Sequence, residues 1–328
     1  MSFLDVRNLS VTFRIRREGD LPWTPKRELQ AVRGVSFSLA EGETLGIVGE
    51  SGSGKSTLAR ALIALAPARG EVVFQGQNLL ALSPGQMLAY RSRIQMVFQD
   101  PLASLNPRMT VGQIIAEPLV THYPGLSRAE VKARVQLTMD RVGLLPNQIN
   151  RYPHEFSGGQ AQRIGIARAL IVEPRLLICD EPVSALDVSI QAQVINLLAE
   201  LRRDLGLAMI FIAHDLSVVK HISDRVMVMY LGRVMETAGK RDLFGDPWHP
   251  YTQALLSAVP IPDPAAERAK TMIPLDGDLP SPMAPPSGCV FRTRCIRAQA
   301  RCAAEVPVLA GQTRAVACHF PGAASEAA

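Results

Sequence analysis

Apolar positions along the chain switch repeatedly between two periods. Leu4 to Ile15 alternates roughly as a half-buried strand does, and so does Val32 to Leu39. The polar, proline-containing stretch Arg16 to Gln30 between them predicts a loop. Thr44 to Val48 is a short apolar run stopped by Gly49, the pattern of a buried strand, and Lys55 to Ala66 then reads as a helix. Glu71 to Phe74 and Ile94 to Phe98 predict further strands. Pro101 to Pro153 turns helical, broken by Pro124-Gly125. Gln160 to Ile171 predicts a helix, Leu176 to Cys179 a buried strand, Ile190 to Leu205 a helix, and Met209 to Ala213 and Arg225 to Tyr230 two more strands. Strands alternating with helices predict an α/β core built on a mainly parallel sheet.

Beyond about Lys240 the pattern changes. Residues 260–288 hold eight prolines and little periodicity, so they read as a linker or an extended wrap. Gly288 to Phe320 carries four of the five cysteines, and Pro321 to Ala328 reads as a frayed tail. The chain therefore divides into residues 1–240, with a helical insert near 100–160, and an extension, 241–328.

Composition narrows this only a little. The 328 residues are 47% apolar and 20% charged, which excludes disorder over most of the chain. Lys and Arg exceed Asp and Glu by 35 to 30, too small a surplus to signal nucleic acid as a partner. No apolar run approaches 18 residues, so no membrane span is expected. Asp5 and Arg7 stand where a secretory signal would need an apolar run, so the expected address is the cytosol.

The chemistry begins at Gly49-Glu50-Ser51-Gly52-Ser53-Gly54-Lys55-Ser56, followed by Thr57. This is a complete G-x-x-x-x-G-K-S phosphate loop between a predicted strand and a predicted helix. Its glycines let successive backbone N–H groups face phosphate oxygens at the positive end of the helix. Lys55 is placed to reach the β- and γ-phosphates, and Ser56 to ligate Mg²⁺. The strand ending Cys179-Asp180-Glu181 supplies a second acid for Mg²⁺ in Asp180 and a base for water in Glu181. Ser157-Gly158-Gly159-Gln160 opens a helix as a second anion site. One nucleotide already has its cradle at 49–56, so this second site fits a head-to-tail dimer in which it closes over the partner's ATP.

In this order the motifs resemble the nucleotide-binding subunit of an ABC transporter, over residues 4–240, which implies an α/β P-loop core with an antiparallel β-subdomain and a helical insert. The resemblance implies that Gln99 is the Q-loop residue and a further Mg²⁺ ligand, that His214 is the switch histidine, that Ser184 to Asp187 is the D-loop, and that Phe13 stacks on adenine. Read singly, Phe13 fits a core position, Gln99 a surface one and His214 a structural one.

The stretches Gln95 to Pro101, Ser104 to Arg108, Tyr152 to Glu155, Pro182 to Gln191 and His249-Pro250-Tyr251 resemble the oligopeptide/dipeptide permease branch, F-type subunit. What this implies is an ATPase energising peptide import. Its partners would be a homologous ATPase subunit, two integral-membrane permease subunits and, indirectly, a substrate-binding protein, and it would lie peripherally on the cytoplasmic face of the inner membrane. Importers of nickel or glutathione and soluble non-transport ABC ATPases are the alternatives. The chain departs from the branch at Ala161, where an arginine is usual.

Cys289, Cys295, Cys302 and Cys318 are spaced C-x5-C-x6-C-x15-C, wider than common zinc spacing. Their spacing fits free thiols, zinc or a [4Fe–4S] cluster, and the resemblance favours the cluster. Nearby arginines would favour thiolates there, and they also suit anionic lipid headgroups.

Overall fold

The computed structural model describes residues 3–322 except 17, 18, 20, 22, 24, 261 and 262. The end of the expected frayed tail, residues 323–328, lies outside the described residues. In chain order the strands and helices are β1 Leu4–Ile15, β2 Arg27–Leu39, β3 Thr44–Val48, α1 Lys55–Leu62, β4 Arg69–Phe74, β5 Gln77–Asn78, α2 Pro84–Arg91 and β6 Ile94–Val97. The insert follows as α3 Pro101–Ser104, α4 Val111–His122 and α5 Arg128–Arg141. Next come α6 Gly158–Leu170, β7 Leu176–Asp180, α7 Val188–Leu205, β8 Ala208–Ile212, α8 Leu216–Ile222, β9 Arg225–Tyr230 and β10 Arg233–Gly239. The extension adds α9 Lys240–Gly245, α10 Pro250–Ser257, α11 Pro264–Ala269, α12 Ala300–Ala304 and β11 Ala315–Val316.

Two sheets organise these elements. A seven-stranded sheet runs β11-β10-β9-β3-β8-β7-β6, and a four-stranded antiparallel sheet runs β2-β1-β4-β5. From β9 across to β6 the large sheet is parallel, with β3 between β8 and β9. Both its faces are covered, as a parallel sheet requires. The alternation within each strand divides the core accordingly. Leu45, Ile47, Ile178, Ile210 and Ile212 face α1 and the small sheet, whereas Val48, Leu177, Cys179, Met209 and Phe211 face the insert and the helices α6 to α8. The phosphate loop leaves the central strand, so a rigid sheet fixes its position.

The α/β class with a mainly parallel sheet, an antiparallel subdomain and a helical insert is the architecture expected from the sequence. Three boundaries differ. β2 begins at Arg27, inside the expected loop, because main-chain pairing of Arg27 with Ile15 and Leu29 with Phe13 extends it without burying its side chains. α1 stops at Leu62 rather than Ala66, and Ala64 adopts a positive φ of 54°. Within the proline-rich stretch, Asp263 caps the short helix α11, and Leu275 and Leu279 pack against the core.

The extension is built into the large sheet through β11, which pairs antiparallel with β10. Glu236 of β10 is fully buried and accepts hydrogen bonds from the backbone N–H groups of Trp248 and His249, both at 2.9 Å, and from Arg314 at 3.1 Å. The Arg314 guanidinium also lies 3.8 Å above the Trp248 ring. His249 caps α10, its Nδ1 accepting the Tyr251 N–H at 3.0 Å. Burial pushes the His249 imidazole down to about 3. An unfolded chain binds this proton at an ordinary histidine pKa near 6.5. The neutral buried ring therefore contributes stability that is present above pH 6.5 and lost as pH falls towards about 3. Melting temperature measured across that window should fall more steeply for the wild type than for His249→Asn, which keeps a capping acceptor without the titration. Parallel slopes would show that His249 does not titrate on unfolding.

Candidate nucleotide site

Glycines shape the cradle at its two tightest points. Gly49 has φ +150°, and a Cβ there would stand 2.1 Å from the Met229 carbonyl oxygen. Gly54 has φ +99°, and a Cβ there would meet the Ala31 carbonyl oxygen at 2.3 Å. Both distances are below any real contact, and the blocking atoms are backbone, so no side chain is admitted at either position. Between them the loop folds over the buried Lys55, whose Nζ donates to the carbonyl oxygens of Gly49 at 2.7 Å and Glu50 at 3.0 Å. Burial lowers the Lys55 pKa, and Glu181, Asp180 and Glu50 oppose that shift.

Glu181 is where the predicted catalytic residues meet. Its Oε1 lies 3.8 Å from Lys55 Nζ. Its Oε2 accepts from Gln99 Nε2 at 2.9 Å and lies 3.9 Å from His214 Nδ1. Its φ is +45°, a left-handed conformation unusual for a non-glycine residue and of a kind concentrated at functional sites. The backbone is held there by the Glu181 N–H bonded to Ile212 O at 3.0 Å and by Ser184 Oγ donating to Glu181 O at 3.1 Å. Asp180, at the end of β7, accepts from Ser56 Oγ at 2.7 Å through Oδ1. Its Oδ2 is buried without a hydrogen-bond partner, and burial raises its pKa. A buried carboxylate oxygen with no hydrogen-bond partner, beside a serine hydroxyl, is a donor set that suits a hard divalent cation such as Mg²⁺.

A cleft of ≈ 390 Å³ opens over these groups. Its wall includes Phe13 and Leu29 from the small sheet, Ser51, Gly52 and Gly54 to Thr57 from the loop and α1, and Gln99, Glu181 and His214. Pro282, from the extension, completes it. Ser157 to Gln160 and Asp187 are not part of this lining. They form a neighbouring unit. Ser157 caps α6 in a reciprocal capping box with Gln160, and Asp187 caps α7 by accepting the Ile190 N–H at 3.0 Å. A Cβ on Gly159 would stand 2.4 Å from Ile190 Cγ2, so the small residue permits the two helix starts to touch. Ala161 is fully buried in the core.

The four clustered cysteines depart from expectation. All are free thiols, and among the described residues no three or more Cys, His, Asp or Glu side chains stand where they would hold a metal ion. The structure thus does not support the iron–sulfur or zinc readings for Cys289, Cys295, Cys302 and Cys318. Burial pushes the thiols of Cys289 and Cys295 up, and that of Cys318 up to about 11, with the neighbouring cysteines adding to the shift. Desolvation outweighs the arginines that were expected to favour thiolates. The extension is anchored instead by β11, by the Arg314–Glu236 pair and by aromatic packing of Phe291 on Tyr230 and Tyr251. Two residues in or beside the site carry no motif in the sequence: Pro282 and Arg294. Arg294 and Tyr251, the latter read in the sequence only within the His249-Pro250-Tyr251 stretch, hold Glu50 through bonds of 2.7 Å and 2.9 Å.

A phosphate loop on the central strand β3, an acid pair at the end of β7 two strands away and a capped Ser-Gly-Gly-Gln helix start outside the cleft define a cassette-type P-loop nucleoside triphosphatase. The ABC transporter family matches residues 32–184, and the family described as oligopeptide/dipeptide transporter, C-terminal region, matches residues 235–302. The oligopeptide transport ATP-binding protein OppF of Escherichia coli (strain K12) is 62% identical over 95% of this chain and 93% of its own. The putative oligopeptide transport ATP-binding protein YkfD of Bacillus subtilis (strain 168) is 55% identical over 90% of this chain and 91% of its own. Among solved structures, the dimeric ATP-binding cassette MJ0796, bound to ADP and Pi in a post-hydrolysis state, superposes with a TM-score of 0.65 at 28% identity, covering 73% of this chain and 99% of that one. The chain belongs to the ATP-binding proteins of the ABC transporter family.

Proposed function

We infer that this chain is the ATP-hydrolysing subunit that energises peptide import through an ABC transporter. The observation that carries the ATPase reading is the convergence of Lys55, Gln99 and His214 on Glu181 at the mouth of a phosphate loop. Peptide as cargo is supported by the names of the relatives and by the matching C-terminal region. Phe13 offers a π-face to adenine from one end of the cleft. The loop N–H groups and Lys55 receive the phosphates at the other. Ser56, Asp180 and Gln99 would hold Mg²⁺, which when bound neutralises charge on the phosphate oxygens. Glu181 orients the attacking water and takes its proton, and His214 stands beside the γ-phosphate position.

The division of the chain into a cassette, 1–240, and an extension, 241–328, belongs to the same reading. So does its assembly. Ser157 to Gln160 and Asp187 lie outside the cleft of their own chain, which suits a head-to-tail dimer with a homologous ATPase subunit. The insert at 100–155 exposes Leu102, Val120, Tyr123 and Leu137, a surface suited to two membrane-embedded permease subunits. A substrate-binding protein would act on those subunits. Among the described residues no helix is long and apolar enough to cross a membrane, which fits peripheral attachment at the cytoplasmic face.

Assembly predicts how activity scales. Specific ATPase activity should be low for dilute isolated chain, rise with protein concentration, and rise further with a partner ATPase and membrane subunits. A full rate that is independent of concentration in the isolated chain would overturn the split-site reading.

A further inference from the structure

Glu50, the second residue of the phosphate loop, is gripped from two sides by the C-terminal extension. Its backbone N–H donates to Tyr251 Oη at 2.9 Å. Its carboxylate Oε2 accepts from Arg294 Nη1 at 2.7 Å, across 244 positions of sequence. The Arg294 side chain is 8% exposed, so water does not compete for this pair as it does at a surface ion pair. The guanidinium is also fixed in place. Three residues before it, Phe291 packs in an aromatic cluster with Tyr230 and Tyr251, at ring-centroid distances of 5.3 and 5.2 Å. Tyr230 and Tyr251 themselves meet edge to face at 4.9 Å.

The grip leads directly to the phosphate-binding lysine. The Glu50 carbonyl oxygen is one of the two acceptors that seat Lys55 Nζ. A shift of Glu50 therefore moves a carbonyl that holds Lys55 and reorients the N–H groups that follow it. The extension touches the same loop at a second point. Leu279 is the nearest side chain to the Cβ position of Gly52, at 3.9 Å, and the Pro282 carbonyl is held over the cleft by Arg33 Nη2 at 3.0 Å.

We propose that Arg294 is a positioning residue for ATP binding: it fixes Glu50, and through Glu50 it holds the phosphate loop and Lys55 in the conformation that receives the phosphates. The proposal rests on the reading of residues 49–57 as an ATP cradle. It assigns the extension a part in nucleotide affinity, not only in tying the chain's end to the core. Loop contacts to the phosphates are made in the bound state and kept through hydrolysis, so their loss weakens binding in ground and transition states alike. The expected signature is a raised KM for ATP with kcat little changed.

The test is calorimetric titration of the full-length chain with MgATP, for the wild type, Arg294→Ala, Arg294→Lys, Glu50→Gln and the double variant Arg294→Ala/Glu50→Gln. Steady-state kinetics and melting temperature are measured on the same proteins. Arg294→Ala and Glu50→Gln should each weaken binding about tenfold, the size expected for one charge-assisted contact. The double variant should be no weaker than either single, and Arg294→Lys should recover most of the loss. If Arg294→Ala lowers melting temperature while MgATP affinity and KM stay within twofold of the wild type, Arg294 is a structural tie and the proposal fails. Additive losses in the double variant overturn it too, because Arg294 would then not act through Glu50. A wild-type chain that binds no MgATP would instead overturn the reading of the cradle itself. Should Arg294→Ala fail to fold, Glu50→Gln carries the comparison, and MgATP affinity within twofold of the wild type in that variant overturns the proposal.

Discussion

Glu181→Gln should bind MgATP with near-wild-type affinity and hydrolyse it at least ~10²-fold more slowly, a barrier increase of about 2.7 kcal/mol. The substitution keeps the side chain's size, and the Glu181 Oε2 contact with Gln99 at 2.9 Å can be replaced by an amide–amide bond. What is lost is the negative charge and the capacity to accept a proton from water. The positive φ of Glu181 is imposed by the turn after β7 and held by backbone bonds to Ile212 and from Ser184, so the glutamine should sit where the glutamate does. Single-turnover hydrolysis and equilibrium ATP binding, measured on the same preparation, separate the two effects. Turnover within a few-fold of the wild type would remove Glu181 from the chemistry and leave His214 as the residue to examine.

Lys55→Ala should lose binding and turnover together, with kcat/KM falling by about 10²–10³ or more. Lys55 is buried, and it is the cation within reach of Glu181 at the base of the cleft. Its removal also leaves the Gly49 and Glu50 carbonyl oxygens without the donor that draws the loop closed. The two variants thus predict opposite results in one assay, equilibrium ATP binding: retained for Glu181→Gln, lost for Lys55→Ala. Circular dichroism should show the fold intact in both. A Lys55→Ala chain that bound MgATP normally would contradict the assignment of this loop as the phosphate cradle.

Which parts of the site were legible beforehand follows from how far apart in sequence the interacting residues lie. The phosphate loop could be read directly, because close backbone approach at Gly49 and Gly54 demands glycine and leaves a spelled motif. Asp180 and Glu181 were visible because an apolar strand ending in two acids follows that motif. The central strands were visible because buried alternation leaves apolar runs. The contacts of Arg294 and Tyr251 with Glu50 were not, since a contact across more than 200 positions imposes no local pattern on either partner. β11 is two residues long, too short to show any period. The first residues of β2, Arg27 to Gln30, are mostly exposed and polar, and only main-chain pairing reveals them as strand. For the cysteines, spacing records which thiols are near in sequence, whereas the burial that raises the pKa of Cys289, Cys295 and Cys318 is not encoded in it.

The route of the extension over the phosphate loop has a consequence for the birth of the protein. Chains emerge from the ribosome amino-terminus first, and early segments fold before later ones exist. Strands β1 to β9 and the loop at 49–56 can therefore assemble while residues 279–294 are still unmade. Until they are made Glu50 lacks Arg294, and the cleft lacks Pro282. The nascent cassette then carries a cradle whose braces come from residues translated well after it. With Arg294 in its proposed role, tight capture of nucleotide waits for a residue made 244 positions later than Glu50.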